Sequence, residues 1–250
     1  MKKNKGFTLM ELLVVVAIIA ALATIAFTVI QSSRSKADQA SALTKMRSLG
    51  TAFGSYVADS SGLLPLEDAV GSNDWQTAAK PESQEVWYNA LPRLMSAPTV
   101  GELGESNPAG FYDKGYPLCI PGAPYPGANK RLGSPMFAVA MNSRLQRKDE
   151  NGEKKPVPMV RIMEPSKTVI FFERGLPNDK KTLPGQSGFD GSPKGNARAF
   201  AARHNQQGAL IFVDGHAEMH KASDLLTPTG KIIMPQTAVV WSLNADDDPN

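Results

Sequence analysis

The sequence predicts an α+β chain in which one long N-terminal helix, partly transmembrane, packs on a small antiparallel β-sheet with long loops. Three observations carry this prediction: an apolar N-terminal run that passes into an amphipathic stretch, two β-branched and aromatic runs near the C-terminus, and 21 Gly and 19 Pro spread along the chain. At 250 residues there is room for one domain of ordinary size and a sizeable core. The formal net charge is +3, and Lys2, Lys3 and Lys5 supply three of the positive charges. Beyond residue 6 the balance is therefore 24 basic side chains (27 less 3) against 24 acidic ones. No basic field remains to hold a nucleic-acid backbone, so no nucleic-acid partner is expected. The single cysteine, Cys119, cannot form an intrachain disulfide and reads as a buried or half-buried apolar filler.

The first element is the segment MKKNKGFTLMELLVVVAIIAALATIAFTVI, a basic head ending at Gly6 and an apolar run from Phe7 to Ile30 broken by one charge, Glu11. A secretory signal peptide has a shorter apolar core followed by small residues at its cleavage site, so this run is too long for one. From Leu12 to Ile30 there is no charge, and a helix rising about 1.5 Å per residue would cross a hydrocarbon core of about 30 Å. The Lys cluster predicts a cytoplasmic N-terminus, with the remainder of the chain outside the inner membrane. A plain single-pass anchor would look the same by hydropathy. It would have no use for Glu11, because a carboxylate at the centre of an apolar span costs roughly 2.5 to 3.5 kcal/mol, somewhat less near an end.

Gly6, Phe7, Thr8, Leu9, Met10 and Glu11 together resemble the G-F-T-L-x-E signature of type IV pilins and of the pseudopilins of type II secretion systems. The resemblance implies a leader of residues 1–6, cut by a prepilin peptidase between Gly6 and Phe7. It also implies Phe7 as the new, N-methylated terminus and Glu11 as the assembly carboxylate. The expected product is a filament subunit, inserted once in the inner membrane with a periplasmic C-terminal domain. Its implied partners are copies of itself, the peptidase, an inner-membrane assembly platform and membrane lipid. Each assignment has a physical reason. Gly offers no side chain to obstruct a peptidase pocket and breaks helix readily. Glu11 would offset its burial by meeting the amine of Phe7 on a neighbouring subunit, an ion pair that also sets the stagger between helices.

Residues 7–30 form the membrane and assembly half of the helix, and residues 31–58 an amphipathic half. In the latter Ala37, Ala40, Leu43, Met46, Leu49, Phe53 and either Tyr56 or Val57 recur every three or four positions without a Pro. Asp59-Ser-Ser-Gly-Leu-Leu-Pro ends the helix with turn chemistry and opens a globular domain, 59–250. Residues 63–164 are a Pro/Gly-rich insertion with only short periodic pieces: a short helix over Val86 to Met95, kinked or started by Pro92, a strand over Met136 to Asn142, and a solvated charged loop from Arg147 to Lys155. Residues 165–243 hold the sheet. Lys167-Thr-Val-Ile-Phe-Phe-Glu reads as one strand, and Gly208-Ala-Leu-Ile-Phe-Val with His216-Ala-Glu-Met-His reads as a hairpin turning at Asp214-Gly215. Thr237 to Leu243 adds a fourth strand.

All three histidines, His204, His216 and His220, lie close in sequence to Asp214, Glu218 and Asp224, and on a strand His216, Glu218 and His220 share a face. Such residues suit a zinc-like ion, but no H-E-x-x-H or paired Cys accompanies them, and an alternating polar face is ordinarily the wet side of a sheet. His204, nine intervening residues and Asp214-Gly215 also resemble the H-x9-D-G segment near the C-terminus of a pilin-like family abundant in planctomycetes. On this reading Asp214-Gly215 is a turn and the His204 side chain hydrogen-bonds the same hairpin, its functional role left open. Asp246 to Asp248 could offer calcium ligands, as the resemblance to major pseudopilins suggests, but without a spaced ligand pattern they read as a solvated, disordered tail. The expectation is a non-enzymatic filament subunit without a cofactor. The competing readings are a membrane-anchored extracytoplasmic binding protein and a metal-dependent enzyme using His204, His216 and His220.

Overall fold

The structure, a computed structural model, describes residues 9–68, 74–127, 133–152 and 154–250. Helix α1, Leu9–Asp59, runs 51 residues without a break, about 77 Å at 1.5 Å per residue. It contains no Pro, and its glycines fall only at Gly50 and Gly54. Its halves differ. Large apolar side chains from Leu9 to Ile30 are exposed, from 82 % at Leu9 down to 43 % at Val15. Further along, Ala42, Met46, Leu49, Phe53 and Val57 are buried at the predicted three-and-four spacing, so only this half is covered by the body. The helix stops where expected: Ser61 and Gly62 take φ of 55° and 81°, and the Gly62 N–H donates to the Val57 carbonyl at 2.8 Å.

The middle of the chain departs from its reading as loop. Of three short helices, α2 (Trp75–Ala79), α3 (Trp87–Leu94) and α4 (Val100–Ser106), α3 packs against α1, while α4 packs on α2 and α3. Asn89 ties the three short helices together from a fully buried position. Its Nδ2 donates to the Ala78 and Ser83 carbonyls at 2.8 and 2.9 Å, and its Oδ1 accepts the Gly101 N–H at 3.0 Å. Pro92 lies inside α3 rather than at its start. Trp87, Phe111 and Phe137 from this region join Phe53 of α1 and Phe171 in one aromatic core; the Phe53 and Phe171 rings meet edge to face at 5.7 Å. Cys119 is buried there as expected, its thiol donating to the Tyr112 carbonyl at 3.3 Å.

Strands β1 (Val139–Asn142), β4 (Val169–Glu173), β5 (Lys194–Gly195), β6 (Gln207–Phe212) and β7 (Ala217–Lys221) form one sheet in the order β5-β1-β4-β6-β7; β2 (Arg147–Lys148) and β3 (Lys154–Lys155) pair separately. The β4, β6 and β7 neighbours are antiparallel, as the hairpin pattern predicts. Two expectations are corrected. The edge strand β5 runs parallel to β1, so the sheet is mixed. Thr237 to Leu243 is not a strand: Val240 makes one bridge to Thr168, and the next backbone donor, Trp241 N–H, is taken by the Gln236 side chain at 2.7 Å. Residues 147–155 are likewise more than a solvated loop, since Lys154 reaches the buried carboxylates Glu67 and Asp68.

The acidic C-terminus is also placed. Gln236 Nε2 donates to Ser242 Oγ, the Ala245 carbonyl and the Asp247 carbonyl at 2.8 to 3.2 Å, and Asn250 Oδ1 accepts the Ile232 N–H at 2.6 Å. Like charges at a chain end order here because a buried amide gathers the surrounding oxygens.

Candidate functional site

Two features stand out: the uncovered half of α1 and the hairpin that holds the other half. On the uncovered half, Glu11 sits exposed in the first turn, where a carboxylate favours the positive end of the helix dipole. The Thr24 hydroxyl donates to the Ala21 carbonyl at 2.7 Å, so this polar group in the apolar run is satisfied within the helix. Gly6 and Phe7 lie outside the described residues. The helix is long and apolar enough to cross a membrane.

The body grips α1 from Ser35 onward, through α3 and through the segment from His204 to Gly215. At one end His204 and Gln207 exchange backbone hydrogen bonds of 2.8 and 2.9 Å around Asn205 and Gln206, whose φ of 52° and 65° mark a tight primed turn. The turn presents Asn205 and Gln207 to the helix. The Ser35 hydroxyl donates to Asn205 Oδ1 at 3.3 Å, Asn205 Nδ2 to Gln39 Oε1 at 3.4 Å, and Gln39 Nε2 to Gln207 Oε1 at 3.2 Å. At the other end, Gly215 turns the hairpin with φ of 90° and lies against Gly50 of α1. A Cβ built on Gly50 would strike the Gly215 carbonyl, so neither partner tolerates a side chain without movement. Between these ends Ala209, Ile211 and Val213 share the core with Met46, Leu49 and Phe53.

The expected bond from the His204 side chain to the Asp214-Gly215 hairpin is not seen among the described residues; the His204 backbone pairs with Gln207. The His204 side chain goes elsewhere. The ring is buried, and Nε2 stands 3.3 Å from Oε2 of Glu173, at ion-pair distance but outside hydrogen-bond geometry. Glu173 is fully buried at the end of β4. Its Oε2 accepts from Arg203 Nη1 at 2.7 Å and its Oε1 from the Ala209 N–H at 3.1 Å, which fastens it to β6. Arg203 also reaches Asp179 at 2.6 Å and the Arg174 carbonyl at 2.6 Å. Burial pushes the Glu173 carboxyl up, but the His204 imidazole and Arg203 guanidinium outweigh it and hold the group below the ordinary carboxylate value. Burial opposes the charge on Arg203 as well, and Glu173 and Asp179 overcome it, holding that group above its ordinary value.

The sheet separates this histidine from the other two. Leu210 pairs across from Glu218 and Gly208 from His220 on the face away from α1, where His216 stacks on Phe212 at 4.4 Å and 6°. His216 Nδ1 is held by Asp214 at 2.5 Å; Glu218 lies 3.8 Å from His216 Nε2 and 3.4 Å from His220 Nε2. The candidates His216, His220 and Glu218 do share a face. Among the described residues, however, no three His, Cys, Asp or Glu side chains form a group able to hold a metal ion.

Residues 1–27 match the family described as the prokaryotic N-terminal methylation motif. The chain carries a type IV pilin-like signature. The signature covers Gly6, Phe7, Glu11 and most of the exposed apolar run, and the α+β body behind it is consistent with the pilin-like arrangement of a long helix on a sheet. No curated protein and no solved structure matches the chain. The sequence reading missed the Glu173, Arg203 and Asp179 network; the signal available was three charged residues beside strands that are otherwise apolar.

Proposed function

We propose that this chain is the subunit of a type IV pilin-like filament, either the pseudopilus of a type II secretion-like system or a type IV pilus, and that it does no catalysis. It is made as an inner-membrane precursor with a periplasmic body, cut after Gly6 by a prepilin peptidase, methylated on Phe7 and extracted by an assembly platform. The observation that carries this reading is the uncovered half of α1 beneath the methylation motif: a helix with exposed apolar sides and one carboxylate, Glu11, has its surface satisfied first by lipid and then by other copies of the same helix. The rigid grip on Ser35, Gln39 and Gly50 supports it, because a body fixed to its helix is carried in register when the helices pack.

The test is intact mass and N-terminal sequencing of the protein from its native membrane, beside the same protein from cells lacking a prepilin peptidase. A terminus at N-methylated Phe7 that depends on the peptidase is expected. An intact leader in both preparations would reduce the helix to an anchor and favour the membrane-bound binding protein.

A further inference from the structure

The segment after α1 and the β2–β3 hairpin lie side by side. Leu63 bridges Pro158 in antiparallel sense and the Leu64 N–H donates to the Val157 carbonyl at 2.9 Å. Carried four residues on, that register brings Lys154 opposite Glu67. The side chains converge there. Lys154 Nζ is in direct contact with Asp68 Oδ1 and lies 3.4 Å from Glu67 Oε1, and Lys194 Nζ lies 2.5 Å from Asp68 Oδ2. Glu67 and Asp68 are 3 % and 5 % exposed, and Glu67 lies among the apolar Leu64, Leu66, Met141 and Val157 and the polar Gln146 and Lys155. Neither Glu67 oxygen nor Asp68 Oδ1 has a hydrogen-bond partner among the described residues.

We infer that Lys154 and Asp68 join in an intramolecular amide, an isopeptide cross-link formed by the protein itself with Glu67 as its proton carrier. The inference concerns the body alone and stands or falls apart from the filament reading. The chemistry balances. The neutral Lys154 amine attacks Cγ of the Asp68 carboxyl in its protonated form, the C–N bond forms, the C–OH bond breaks, and that hydroxyl leaves as water. Glu67 takes the proton released by the amine and delivers it to the departing hydroxyl. Lys194 donates to Oδ2, the oxygen on which negative charge gathers as the tetrahedral centre forms. Nothing is oxidised or reduced, and the product differs from the starting pair by one water.

The environment favours both reactants. Burial lowers the Lys154 amine to about 8, so a useful fraction is the nucleophilic free base near neutral pH, and burial raises the Glu67 carboxyl, easing its passage between protonated and ionised forms. The cross-link also answers a structural need. The β2–β3 ladder has only two residues per strand, marginal by itself, and a chain with one cysteine has no disulfide to secure it.

The experiment is intact mass under denaturing conditions on the full chain purified in detergent, each processing form compared with its own sequence mass, followed by proteolysis and tandem mass spectrometry. The wild type should be lighter by one water and yield a branched peptide joining residues 68 and 154. Lys154→Arg, Asp68→Ala and Glu67→Gln should each restore the full mass, with circular dichroism checking that the variants fold. A folded wild type of full mass overturns the proposal whatever the variants do. So does a water loss mapped to a linear peptide, as a cyclic imide at Asp190-Gly191 or Asp214-Gly215 would give, or a branch at Lys194. A cross-link that persists in Glu67→Gln would remove Glu67 from the mechanism.

Discussion

At the scale of single residues, two carboxylates matter in opposite ways. Glu11 stands exposed on the uncovered helix, and the proposed filament gives it an intermolecular use. Glu11→Val should leave membrane insertion intact while abolishing filaments recovered by shearing, because the apolar span is lengthened and only the pairing group is lost. Filaments at wild-type yield would remove Glu11 from assembly. Glu173 is the internal case, a fully buried charge held by Arg203 and the Ala209 N–H. Glu173→Leu should cost roughly 3 to 5 kcal/mol in denaturant unfolding of the detergent-solubilised chain, since Arg203 is left short of a partner in the interior. The carboxyl is held below its ordinary value of 4.5, so the stability it contributes is fully present above that pH and is lost as the pH falls through the lower folded value. Wild type should therefore lose stability in that acid window more steeply than Glu173→Gln. The Glu11 signal is legible in sequence because a charge inside an apolar run has no local excuse. Glu173 is not, since it closes an ordinary strand and its partners come from distant loops.

At the scale of elements, the two glycines of α1 make a controlled comparison. A Cβ at Gly54 meets nothing within 4 Å, whereas one at Gly50 strikes the Gly215 carbonyl. Gly54→Ala should raise stability by up to about 1 kcal/mol through helix propensity alone. Gly50→Ala gains the same propensity but forces the hairpin away, a repacking that costs roughly 1 to 3 kcal/mol, so the net effect should be loss. Thermal unfolding of both variants decides this, and equal stabilisation by both would show that the contact is slack. The hairpin itself is legible, since an apolar run, Gly208 to Val213, meets the turn dipeptide Asp214-Gly215 and an alternating run follows from His216, and Gly215 does take φ of 90°. The turn at His204 is less so: Asn205 and Gln206 adopt positive φ without a glycine, and what holds them there is the helix across the interface. Helix α4 did have a signal, the Thr99-x-x-Glu102 capping box, hidden among the glycines and prolines that made its surroundings look like loop.

At the scale of the whole molecule, α1 belongs to two environments, and the boundary falls near Ser35, where the hairpin first touches it. Hydrogen exchange in detergent should therefore show amides from Ala42 to Val57 opening together with β6 and with the global unfolding of the body, and Gly50→Ala should lower protection in both at once. Exchange in α1 that ignores β6 would mean the helix is only laid against the body. The sequence by itself determined the helix, its two surfaces, its stop, the strands β1, β4, β6 and β7 and the processing signature, because each rests on periodicity or on neighbours a few residues apart. The tertiary structure alone decided that Thr237 to Leu243 stays out of the sheet, that β5 enters it in parallel, that the histidines part to opposite faces, and that Lys154 finds Asp68. These depend on which surfaces are buried together: Asn205 meets Ser35 across 170 residues of chain, and no local pattern encodes a pairing whose energy appears only once both partners leave water.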